Sequence, residues 1–145
     1  METANNNLTM EFTITAGDFS TAGKAASEVK RILGQIGFPP AIIRRVAVAT
    51  YEAEMNIVIH SFGGKITLFI TPRKINILCE DNGPGIADID LAMQEGFSTA
   101  PDKIRELGFG AGMGLPNIKR CSDEFKIYSE VGKGTKLEIS IKLVE

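Results

Sequence analysis

Two glycine clusters in a fixed order constrain this chain more than anything else in it. The first, Asp81-Asn82-Gly83-Pro84-Gly85-Ile86, directly follows the apolar run Ile75-Asn76-Ile77-Leu78-Cys79. The second, Gly108-Phe109-Gly110-Ala111-Gly112-Met113-Gly114-Leu115, directly precedes a short helical stretch. Glycine lets a backbone approach a ligand where a side chain would block it. A carboxylate fixed at a strand end can accept a bond from a base. Glycine amides and a helix N-terminus can hold phosphates. The pair therefore suits a nucleotide.

The rest of the composition sets the frame. A chain of 145 residues, 43% hydrophobic and 23% charged, fits one soluble domain with a real core. A net charge of -2 gives no reason to expect a nucleic-acid partner or attraction to an anionic membrane. No apolar stretch approaches the ~20 residues of a membrane span. The polar start, Met1 to Asn7, lacks the cationic and apolar regions of a signal peptide, so a cytoplasmic location is expected. Cys79 and Cys121 sit among apolar residues and read as reduced thiols.

Periodicity divides the chain into nine elements. Residues 8–15 alternate as a strand, and residues 1–7 before them read as a disordered tail. Asp18 or Ser20 is placed to cap a helix reaching about Gln35, which Gly37-Phe38-Pro39-Pro40 breaks. A long helix follows from about Ala41 to His60, with Ile43, Val46, Ala47, Thr50, Ala53 and Ile57 at helical spacing. Strands are expected over 65–71 and 74–80, and a short helix over 88–94. Residues 96–112 form a long irregular segment. A helix over 115–121 and a hairpin, 125–130 with 135–143, close the chain. The order predicts a two-layer α/β sandwich: a mixed, mostly antiparallel sheet with helices on one face, in a single domain over residues 1–145.

Each motif has a plain reading when taken alone. Glu52 and Asn56, four residues apart on one helix face, fit a general base and a ligand for a hydrated cation; they also fit two solvated polar residues. Glu54 and His60 invite the same choice, His60 as a helix-end cap. Asp81-Asn82-Gly83 is compatible with a hairpin turn, although a helix rather than a strand follows. Gly110-x-Gly112-x-Gly114 lacks the spacing of a Rossmann loop and the Gly-Lys-Ser/Thr of a P-loop. Gly132-Lys133-Gly134-Thr135 reads as a turn. Lys103 and Arg105 fit either phosphate contacts or surface charges. Their common order is what coincidence does not explain.

In that order the chain resembles the ATP-binding superfamily shared by DNA gyrase, heat-shock chaperones, histidine kinases and MutL, which has the Bergerat-type fold. Glu52-Ala53-Glu54-Met55-Asn56 is similar to its N box, Asp81–Gly85 to its first glycine box, Gly108–Gly114 to its second, and Gly134-Thr135 to its terminal Gly-Thr. The short length points to the stand-alone bacterial anti-sigma factors and serine/threonine switch kinases of the RsbT, RsbW and SpoIIAB type. Glu80–Asp88, Glu95–Thr99, Gly110–Arg120 and Asp123–Phe125 look most like RsbT, and Ile57–His60 like RsbW and SpoIIAB.

The resemblance implies roles residue by residue. Glu52 would activate the attacking hydroxyl, and Asn56 would ligate Mg²⁺. Asp81 would accept from the adenine amino group, Gly85 would admit the base, and Thr135 would support it through water. The amides of Gly110, Gly112 and Gly114 would contact the phosphates. Gly83, Ile86, Gly108, Ala111, Met113 and Leu115 would belong to the same cofactor site. Residues 96–112 would be the ATP lid, carrying Lys103 or Arg105 as counter-charges. The implied cofactors are ATP or ADP with Mg²⁺. The implied activity is phosphorylation of a STAS-type antagonist protein. The alternatives are a sigma-factor-binding module whose ATP site is mainly structural, and simple ATP hydrolysis. A sigma factor or a phosphatase are further partner classes, and a homodimer through the first strand is expected.

Overall fold

The computed structural model describes residues 7–94 and 114–143. The remainder of the expected tail and the whole of the expected lid lie outside the described residues. The elements run β1 (Leu8–Ile14), α1 (Lys24–Ile36), α2 (Pro40–His60), β2 (Gly64–Ile70), β3 (Lys74–Asp81), α3 (Ile89–Ala92), α4 (Gly114–Cys121), β4 (Glu124–Glu130) and β5 (Gly134–Lys142).

Five strands form one sheet in the order β1-β2-β3-β5-β4, and every pairing is antiparallel. Alternation decides which face is buried. Ile66, Leu68 and Ile70 of β2, Ile75, Ile77 and Cys79 of β3, and Leu137, Ile139 and Ile141 of β5 point to the core. Lys65, Lys74, Glu80, Lys126 and Lys142 lie on exposed positions between them. A fully buried Ile or Leu contributes about 1.5–3 kcal/mol, so a one-residue register slip would forfeit most of the sheet's stabilisation.

The helices cover the apolar face. α2 lies in the middle, packed against α1 on one side and α4 on the other. Its Val46, Ala49, Ala53 and Ile57 are buried, as are Val29 and Leu33 of α1 and Ile118 of α4. α1 ends at Gly37, whose φ of 101° is left-handed and whose N–H donates to the Leu33 carbonyl. α2 begins on Pro40, where a missing N–H costs nothing.

The start of α1 departs from expectation. Neither Asp18 nor Ser20 caps it. The Asp18 carboxylate accepts instead from the Ser20 and Thr21 hydroxyls, both at 2.7 Å. α1 starts later, after Gly23, with no side-chain cap of its own. Glu54 of α2 supplies the acceptors, taking bonds from the N–H groups of Gly23 (3.0 Å), Ala25 (3.2 Å) and Ala26 (3.2 Å). This carboxylate, only 2% exposed, ties the positive end of one helix to the middle of the next.

Candidate active site

The first glycine cluster lies where three elements converge. β3 carries Asp81 to its last position, and the chain turns back against the end of α2. The Asn82 N–H donates to the Gly63 carbonyl at 3.0 Å, and the Phe62 N–H donates to the Asn82 carbonyl at 3.2 Å. A Cβ on Gly83 would stand 3.0 Å from both Asp81 Oδ1 and the Ser61 backbone. Gly85 has φ of 81°, and a side chain there would run into the Glu130 carbonyl. A side chain on Gly134, at φ of 130°, would overlap the Asp81 carbonyl. Glycine is required at these positions because backbone meets backbone.

Asp81 is half-buried, and its Oδ1 accepts from the Thr135 N–H at 3.2 Å. Burial pushes its carboxyl above the usual carboxylate value, and backbone bonds from Thr135 and Gly83 oppose that rise. Thr135 is 8% exposed. Its hydroxyl is 2.9 Å from Ser129 Oγ, which also accepts from the Ile86 N–H at 2.7 Å and donates to the Gly134 carbonyl at 3.1 Å. The hairpin turn adds a bond from the Gly132 N–H to the Pro84 carbonyl at 2.8 Å. Asp81, Gly83, Gly85, Ile86 and Thr135 are therefore held in one cradle.

Glu52 and Asn56 lie on α2, both half-buried and one turn apart. Glu52 Oε1 is 3.5 Å from where a Cβ on Gly114 would stand, so the carboxylate faces the start of α4. Its Oε2 accepts from Asn117 Nδ2 at 2.9 Å. Along α2 the order is Glu52, Asn56, then Ser61 beside the cradle. At about 1.5 Å per residue that is roughly 13 Å of helix axis from Glu52 to Ser61.

Leu115 is placed in the core, 7% exposed, so its side chain serves packing. Lys103, Gly108, Gly110, Ala111, Gly112 and Met113, like Arg105, lie outside the described residues. His60 is part-buried at the end of α2, and burial lowers its basicity. Cys79 is a buried free thiol, its ionisation strongly opposed by burial. Cys121 is a half-buried free thiol, pushed the same way.

Two residues at the site have no motif. Ser129 is a polar side chain on the inward alternation of Phe125 and Ile127, which is a signal that can be read from spacing. Asn117 follows Gly114 by three residues, on the same helix face.

Residues 41–145 match the family described as histidine kinase-, DNA gyrase B- and HSP90-like ATPases. The chain belongs to that family. Among its relatives is the serine/threonine-protein kinase RsbT of Bacillus subtilis, 33% identical over 113 residues, 75% of this chain and 79% of the relative. The anti-sigma F factor of Clostridium novyi is 31% identical over 144 residues, 95% of each chain. That of Thermoanaerobacter sp. is 36% identical over 103 residues, 68% of each. The crystal structure of the RsbU and RsbW domains of a Mycobacterium tuberculosis protein superposes with a TM-score of 0.57 at 16% identity, over 90% of this chain and 32% of that one. That likeness concerns the fold.

Membership in this ATPase family implies ATP binding, and the chemistry of the residues gathered here is compatible with that ligand. The cradle holds a half-buried carboxylate acceptor at a strand end, which suits a base bearing an amino group. The side-chain oxygen of Asn56 is of the type a magnesium ion accepts alongside phosphate oxygens.

Proposed function

We propose that this chain is a serine/threonine protein kinase that transfers the γ-phosphate of Mg-ATP to a STAS-type antagonist protein in a partner-switching pathway. The observation that carries the reading is the Glu52 carboxylate facing the glycine at the start of α4, with Asn56 one turn further toward the cradle. A family member that only bound ATP would need no base at that place.

The division of labour follows the order along α2. Asp81 accepts from the adenine amino group and fixes the base. Mg²⁺ bound at Asn56 would neutralise phosphate charge. Glu52 accepts the proton of the incoming Ser or Thr hydroxyl while its oxygen bonds to the γ-phosphorus. The bond from that phosphorus to the bridging oxygen breaks, and ADP leaves with the electron pair. Such transfers ask mainly for positioning and charge stabilisation, which one base, one metal ligand and backbone donors provide.

The test is γ-labelled ATP with Mg²⁺ and the STAS-domain proteins that co-purify with the chain. Label on a Ser or Thr of one of them is the expected result, abolished by Glu52→Ala while nucleotide still binds. Nucleotide binding without any protein-bound label would reject the reading.

A second activity is compatible with the first. The relative matching over 95% of the chain is named an anti-sigma F factor. Ile36, at 52% exposure, and Phe62, at 78%, offer apolar surface outside the cradle. Sequestration of a sigma factor would then persist in Glu52→Ala, which a pull-down with and without Mg-ATP measures. A homodimer through the free edge of β1 belongs to the same proposal, and sedimentation tests it.

A further inference from the structure

The amide of Asn117 joins two charged groups. Its Nδ2 donates to Glu52 Oε2 at 2.9 Å, and its Oδ1 accepts from the Arg120 guanidinium at 2.7 Å. An amide has one donor end and one acceptor end, whereas a guanidinium only donates and a carboxylate only accepts. Arg120 therefore claims the oxygen end and leaves the NH2 end to Glu52. A flipped amide would set oxygen against carboxylate and NH2 against guanidinium, both repulsive. The two charges fix the amide, and the amide fixes one oxygen of Glu52.

The other oxygen is the one with chemistry to do. Oε1 faces Gly114, which has no side chain to obstruct it. Oε2 is engaged by Asn117, one turn further along α4. A carboxylate free to rotate about its last torsion would present either oxygen. We propose that Asn117 is a positioning residue for phosphoryl transfer: it holds Oε2 so that Oε1 meets the acceptor hydroxyl, with Arg120 locking the amide. The inference rests on the kinase reading above and adds to it a residue that neither the N box nor the glycine boxes contain. The balance of the step is unchanged: the hydroxyl proton goes to Oε1, one O–P bond forms and one breaks.

A purely structural role, pinning α4 to α2, makes different predictions. It would lower stability and nucleotide affinity together, with kcat falling no more than the affinity does. The positioning role predicts that Asn117→Ala lowers kcat for transfer to the STAS-domain acceptor on the order of 10- to 100-fold. The KM for ATP and the affinity for a fluorescent ADP analogue should stay within about 2-fold. Asn117→Asp, equal in shape and still able to pair with Arg120, should be at least as impaired, because it sets a second carboxylate against Glu52. It also serves if the alanine variant fails to fold. A readout without nucleotide is the side-chain amide resonance of Asn117, expected to move on Glu52→Ala.

Full kcat in Asn117→Ala or Asn117→Asp would overturn the inference, as would a loss shared equally by kcat and ADP affinity or an amide resonance blind to Glu52. If the unaltered protein transfers no phosphate to any acceptor, the kinase reading itself fails and takes this one with it. The two failures are thus distinguishable by the unaltered protein alone.

Discussion

Glu52 and Glu54 stand two residues apart on α2, and their carboxylates serve different helices. Positions two apart on a helix face nearly opposite ways. Glu54 turns into the protein and accepts three backbone N–H bonds at the start of α1. Glu52 turns toward α4, bonded by one oxygen to Asn117, with the other beside Gly114. One short segment therefore supplies a structural acid and, on the proposed kinase reading, a chemical one.

Their substitutions should separate accordingly. Glu54→Ala strands three amides in a buried setting and removes a charge from a helix N-terminus. It should cost roughly 3 kcal/mol or more of stability, read by urea unfolding. Glu52→Ala should change stability by less than about 1 kcal/mol, since its partner is only part-buried, yet abolish transfer. Equal destabilisation by both would contradict the division.

Much of this was legible in the sequence, for a local reason. Asp81 at a strand end, Glu52 and Asn56 one turn apart, and the alternation of 75, 77 and 79 with 137, 139 and 141 are patterns within single elements. Spacing alone reports them. The start of α1 was not legible, because its cap comes from Glu54, about thirty residues away, while Asp18 finds nearer hydroxyl partners. Ser129 and Asn117 escaped for the same reason: their partners are chosen by packing of β4 on the loop at Ile86 and of α4 on α2. The insertion of β5 between β3 and β4 likewise belongs to the sheet as a whole.

Asp81 should show a conflict between stability and function. Its carboxyl is raised above the usual 3.8 by burial. The folded state therefore favours the protonated form, and the stability Asp81 contributes is lost as pH rises through its folded value. At pH 7 the ionised group is a cost. Asp81→Asn keeps an acceptor for the Thr135 N–H but removes the charge. Without nucleotide its melting temperature at pH 7 should be equal to or above that of the unaltered protein. Its affinity for ATP should fall roughly 10- to 100-fold, the worth of a hydrogen bond to a charged acceptor. Calorimetric titration measures the second, and a lower melting temperature with unchanged affinity would reverse the assignment.

Gly134 and Gly132 share one hairpin and isolate a steric effect. Both have positive φ, 130° and 83°. An added Cβ at 132 meets nothing within 4 Å, whereas at 134 it overlaps the Asp81 backbone. Gly132→Ala should cost about 1 kcal/mol, the conformational part alone. Gly134→Ala should cost more, by roughly 1–3 kcal/mol, and should weaken ATP binding because relief of the overlap must move Asp81 or Thr135. Parallel unfolding curves for the two variants would show that the close approach does not matter.

Asp123 gives the opposite pH dependence to Asp81. Its Oδ2 accepts from the Lys142 N–H at 2.6 Å and from Arg45 at 3.1 Å, and Arg45 also donates to the Cys121 carbonyl at 3.0 Å. These bonds tie α2 and the end of α4 to β5 and to the residue that leads into β4. The Lys142 amide above all, with Arg45 adding to it, holds the carboxyl below the usual 3.8. A depressed value means stability that is present above the unfolded-state value and lost as pH falls through the folded one. Asp123→Asn should therefore be less stable at pH 7, by about 1 kcal/mol given how much of the side chain meets solvent. The gap should close on acidification below the usual carboxylate value, as the unaltered carboxyl takes up its proton. Added salt should narrow the gap at pH 7 only in part, because the amide bond, unlike the exposed ion pair, is short-ranged and poorly screened. Urea unfolding at pH 7 and pH 2 reads both effects, and a gap of the same size at the two pH values would exclude the carboxylate as its source.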